Sequence, residues 1–144
     1  MIGLAGSWCV KWTQARPRNA YAVSHGALPL SSGSIRVVKA YQYITMDTYL
    51  TGYLTDVSEI VFDDGYRAKW TAQATCQLVD DAMHVSFNAG RLASVDGTPS
   101  PGVVGYTDQG VEIRTKVRWG VVGVTRQYRV DRDPSHYLTM YHRM

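Results

Sequence analysis

Four polar side chains stand in otherwise apolar, alternating segments, and their types suit acid, base or oxyanion chemistry: Arg126, Tyr128, Glu59 and His84. In VVGVTRQYRV, a period of two places Arg126 and Tyr128 on one face with Val122, Val124 and Val130. A guanidinium among apolar neighbours needs a partner, and its planar fork fits a carboxylate, an enolate or a phosphate. The internal alternative is an arginine capping Trp8 or Trp12, since buried charges are more often satisfied within the protein. Glu59 shares a face with Val57 and Val61; if that face is interior, desolvation raises its pKa and makes it a usable general acid or base. If Ile60 and Phe62 define the inner face, Glu59 points to water. His84 alternates with Ser86 and Asn88 opposite Met83, Val85 and Phe87, and donates or orients a proton only if the mixed face lines a cavity.

Other chemistries lack their signatures. There is no nucleophile elbow, phosphate loop or dinucleotide fingerprint. Four histidines without paired spacing make a poor metal set, so no metal and no cofactor is expected.

The elements that must position these residues are strands. Tyr66 to Gln77 alternates without a fault, Tyr66, Ala68, Trp70, Ala72, Ala74 and Cys76 against Arg67, Lys69, Thr71, Gln73, Thr75 and Gln77. Val111 to Trp119 repeats the rhythm, with Val111, Ile113, Thr115, Val117 and Trp119 away from Glu112, Arg114, Lys116 and Arg118. Further strands are expected at 6–14, 35–45, 49–55, 57–62, 83–88, 103–106, 121–130 and 136–143, with a short helix over 45–52 left open. Asp63-Asp64-Gly65 predicts a hairpin turn. The segments 15–33 and 89–102, rich in Gly and Pro, read as loops, at least one of them over a cavity mouth. Long one-sided strands without covering helices predict an all-β fold, an antiparallel up-and-down barrel of about eight to ten strands spanning 1–144 as one domain.

The chain has 144 residues, 45% hydrophobic and 19% charged, the composition of an ordinary globular domain. Its net charge of +3 arises partly from the Arg114, Lys116, Arg118 row, read as a solvated outer face, so no nucleic-acid partner is expected. No apolar run reaches membrane-spanning length, and MIGLAGSW has no basic leader. Cys9 and Cys76 lack disulfide-framework or zinc spacing. Cytoplasmic residence with free thiols is the expectation.

Gly6-Ser7-Trp8 matches the G-x-W that opens the first strand of lipocalins and other calycins, and Arg126 or Arg143 lies where that family places an arginine over the tryptophan. The run from Thr125 to Val130, a turn, then Tyr137-Leu138-Thr139-Met140 resembles the closing hairpin of bacterial lipocalin-like domains. The resemblance implies a ligand-holding barrel, and equally a small barrel of the kind that serves as a cofactor-free cyclase or isomerase in natural-product pathways. Ten Tyr and four Trp against two Phe suit a cavity lined by rings with polar tips. The expected function is binding of a small, largely apolar or aromatic metabolite, with Trp70, Tyr41, Tyr43, Tyr53 and Trp119 lining the interior. A cyclase or isomerase of pericyclase type in the same cavity, using Arg126, Glu59, His84 or Tyr128, is the alternative; a packed, partner-binding barrel is the third. A homodimer is admitted.

Overall fold

The computed structural model describes residues 3–14, 35–95 and 111–144. Eight strands follow one another: β1 (Gly6–Thr13), β2 (Ile35–Met46), β3 (Thr51–Phe62), β4 (Arg67–Val79), β5 (Ala82–Ser94), β6 (Val111–Val124), β7 (Tyr128–Arg132) and β8 (Leu138–Arg143). Each pairs antiparallel with the next, and β8 returns to β1, so the all-β, up-and-down barrel is closed and has no free edge. Among the described residues there is no helix; 47–50 is instead a tight turn in which the Asp47 and Thr48 amides donate to the Thr51 carbonyl.

Three boundaries differ from the sequence reading. The stretches 49–55 and 57–62 form the single strand β3, because Asp56 stays in the ladder between Gln42 and Ala72. Strand β5 runs on from Asn88 to Ser94, past a register shift at that residue, where a loop was expected. Between Trp119 and Tyr128 the break falls later than Gly120: β6 continues to Val124, and the turn sits at Thr125 to Gln127, whose Thr125 Oγ1 accepts from the amides of Gln127 and Tyr128. The strand expected at 103–106, the whole of the loop expected at 15–33 and residues 96–102 of the second expected loop lie outside the described residues. The strand ends those loops join, Thr13 with Ile35 and Ser94 with Val111, all lie at one end of the barrel, opposite the chain termini.

The inner face of β4 is the one read from alternation: Tyr66, Ala68, Trp70, Ala72, Ala74 and Cys76 are buried. Large inner side chains sit across from small ones. Trp70 is wholly buried and its ring lies over Gly90, where a Cβ would fall 2.3 Å from two ring carbons and 2.6 Å from the Ile113 side chain. Gly90→Ala is therefore expected to cost roughly 1–3 kcal/mol by overpacking, read as a lowered thermal midpoint. An unchanged midpoint would show that Trp70 is free to move.

The terminal end is closed by the G-x-W segment. Trp8 is fully buried, and its indole N–H donates to the Leu4 carbonyl at 2.8 Å. The Arg143 guanidinium stacks 4.0 Å from the Trp8 ring and donates to the carbonyls of Gly3, Ala5 and Arg126. Of the two arginines expected over Trp8, Arg143 is the one that stacks. Gly6, at φ 135°, leaves room for it, since a Cβ there would meet Arg143 Nη1.

Candidate functional site

Inside the barrel the apolar wall is interrupted by buried polar side chains, among them Gln42 on β2, Asp56 and Ser58 on β3, and Arg129 and Asp131 on β7. They meet because strand pairing puts Trp8, Gln42, Asp56, Ala72 and Gly90 at one level of the inner wall, while β7 faces them across the lumen. Arg129 Nε donates to both Asp131 oxygens at 3.1 Å, and Nη2 lies 3.1 Å from Asp131 Oδ2. Its Nη2 also donates across the lumen to Gln42 Oε1 at 2.5 Å, and Gln42 Nε2 donates to Asp56 Oδ2 at 3.0 Å. The guanidinium stands 3.9 Å from the Tyr141 ring and 5.2 Å from that of Trp8. This chain of donors ties β7 to β2 and β3 without any backbone ladder between them.

The chain ends on Asp56, with Ser58 two residues along the same strand face. Asp56 Oδ1 and the Ser58 hydroxyl, both wholly buried, have no hydrogen-bond partner among the described residues, and neither has the buried Tyr66 phenol. Burial pushes the Asp56 carboxyl up to about 7, against the opposing pull of the Gln42 hydrogen bond and the Arg129 charge. Burial likewise raises Asp131, which the Arg129 charge and hydrogen bonds pull back down. At this level the lumen is closely packed: Gln42, Asp56, Ser58, Trp70 and Arg129 are all fully shielded.

The residues expected to do chemistry lie elsewhere. Arg126 is exposed in the turn between β6 and β7, and its carbonyl accepts from Arg143 Nε. Tyr128 faces outward, 5.6 Å from the His142 ring with Lys11 over it at 5.8 Å. The turn at Thr125 to Gln127 resets the alternation, which is why period two carried across it selected Arg126 and Tyr128 in place of Arg129. Glu59 is half-buried on the outer face between Lys39 and Lys69, with Ile60 inside. His84 is exposed, with Met83, Val85 and Phe87 inside. Trp70 and Trp119 do face the interior. Tyr43 and Tyr53 are on the outer face and exposed, and Tyr41 is buried on that same outer face between Cys9 and Val57, so none of the three lines the lumen.

His84 and Tyr53 are nevertheless brought together, in an outer groove of about 360 Å³ with Thr51, Thr75, Gln77 and Ser86. A second surface groove, of about 600 Å³, lies between Trp12, Gln14 and Ser135 to Tyr137. Among the described residues no group of three or more His, Cys, Asp or Glu side chains is placed to hold a metal ion, and no helix is long and apolar enough to cross a membrane.

The signal that pointed to the interior site was present as R-x-D in Tyr128 to Arg132, an opposite-charge pair two apart on one strand face, but finding it required knowing where the strand began. Comparison of this chain with protein-family models, with curated proteins and with solved structures finds no match.

Proposed function

We propose that the barrel binds a small, largely apolar or aromatic molecule in its interior, seating the ligand's polar group on Asp56 and Ser58. The observation that carries this reading is the pair of wholly buried oxygens, Asp56 Oδ1 and Ser58 Oγ, without a hydrogen-bond partner among the described residues. An unpartnered buried polar atom costs about 1–3 kcal/mol, a cost that a ligand donor removes. Above them the wall is apolar, with Ile60, Ala68, Trp70 and Leu92. Because the lumen is packed at the polar level, binding displaces inner side chains.

A neutral fluorescent probe such as N-phenyl-1-naphthylamine tests this. It is expected to bind saturably, one per chain, to lose affinity about tenfold or more in Ala68→Leu, which fills the inner wall, and to be unaffected by Thr75→Leu on the outer wall. Equal binding by all three proteins would place the probe outside the barrel and end the reading.

A second reading, a cofactor-independent isomerase or cyclase in the same interior, is favoured by one observation: a carboxyl with a pKa of about 7 is suited to take and return a proton near neutrality. Its test is solvent-deuterium incorporation into a bound enolisable ketone, followed by NMR. Incorporation that survives Asp56→Asn would remove Asp56 from that role.

A further inference from the structure

The direction of the buried hydrogen bonds defines what the interior site lacks. Arg129 donates to Gln42, and Gln42 donates to Asp56, so Asp56 terminates a run of donors, and its free oxygen accepts. Two of the three Arg129 nitrogens are already engaged: both Asp131 oxygens hold its Nε, Gln42 and Asp131 hold Nη2, and Trp8 and Tyr141 flank its plane. The cluster contains one cation, Arg129, and two carboxylates, Asp131 and Asp56. The neighbours of Asp56 on the adjoining strands, Gln42 and Ala72, add no positive charge. Ser58, two residues along the same face, pairs across the strands with Trp70, whose indole lies on the inner wall over Gly90.

Resting on the interior-binding reading, we propose that the ligand is a primary amine bound as its cation, the ammonium donating to Asp56 Oδ1 and Ser58 Oγ and its apolar or aromatic body lying along Trp70. An ammonium supplies both missing donors and the missing positive charge at once. An alcohol can donate to Asp56 and accept from the Ser58 hydroxyl but brings no charge, and a carboxylate meets like charge.

Three probes on one skeleton decide it: 2-phenylethylamine, 2-phenylethanol and 3-phenylpropanoate, titrated by calorimetry and by tryptophan emission at about pH 8, where the amine is cationic and Asp56 ionised. The amine is expected to bind at least tenfold more tightly than the alcohol, with no detectable binding of the acid. Asp56→Asn should abolish the preference, and Ser58→Ala should weaken amine binding a few-fold, with circular dichroism of each variant confirming the fold. Alcohol or acid binding as tight as the amine, or a preference that persists in Asp56→Asn, overturns the amine assignment while leaving interior binding in place. Binding of none of the three, together with no saturable binding of the neutral naphthylamine probe, removes both.

Discussion

Arg129→Met is expected to remove about 3–5 kcal/mol or more of stability, enough to leave a domain of this size at the margin of folding. The substitution keeps much of the side-chain volume between Trp8 and Tyr141 but takes away the cation that faces Asp131 directly and Asp56 through Gln42. Two buried carboxylates then share the lumen without a counter-charge. Their joint desolvation, more than the loss of any one hydrogen bond, sets the size of the effect. The double variant Arg129→Met, Asp131→Leu should recover a substantial part of the loss, because replacing both partners of a buried pair with apolar groups removes the orphaned charge. Urea denaturation of both variants measures this. A loss below about 1 kcal/mol in the single variant would show that the guanidinium does not hold the two walls together.

The second large effect is a dependence of stability on pH that belongs to Asp56. Its folded-state pKa is about 7 against an ordinary value of 3.8, so the folded protein holds this proton more tightly than the unfolded chain does. The contribution is fully present below about pH 4, declines as the pH rises toward 7, and is a constant penalty above that. A shift of this size corresponds to about 4 kcal/mol. Asp131, also raised by burial, acts in the same direction. Asp56→Asn should therefore be more stable than the parent at about pH 8 and differ little from it at about pH 4, with a flatter profile between. If denaturation midpoints of variant and parent run parallel across this range, Asp56 is not the group that titrates. A cationic ligand would itself offset the penalty, so the parent should gain more from bound amine at high pH than at low.

How the site came to be hidden in the chain follows from the geometry of strands. Alternation identified the inner faces of Tyr66 to Gln77 and of Val111 to Trp119 because those segments are long and uninterrupted, and a period of two admits a single assignment of faces within one strand. The G-x-W start was read from its resemblance to a family pattern that left Arg126 or Arg143 over the tryptophan; Trp8 is buried, and Arg143 stacks on it. Across a turn the same rule has no authority. Thr125 to Gln127 breaks the count, so Arg126, expected inside, lies in solvent, while Arg129, one position off that face, fills the lumen. In β3 the two possible faces were both half apolar, and the segment alone left Glu59 and Ile60 undecided. The ladder with β2 and β4 puts Ile60 inside and Glu59 between two lysines outside.

From residue order alone came the all-β class, most of the strands, the hairpin at Asp63 to Gly65 and the inner tryptophans, since each depends on neighbours within a dozen residues and on the strict two-residue repeat of a pleated strand. Closure of the barrel between β1 and β8 decided the rest. Only closure sets β7 opposite β3, so that Arg129 reaches Gln42 from 87 residues away, and Asp56, one of two acidic residues in β3, becomes a desolvated carboxyl inside the barrel. Burial and partnership are properties of the assembled walls, and no period read along one strand contains the distance across the lumen.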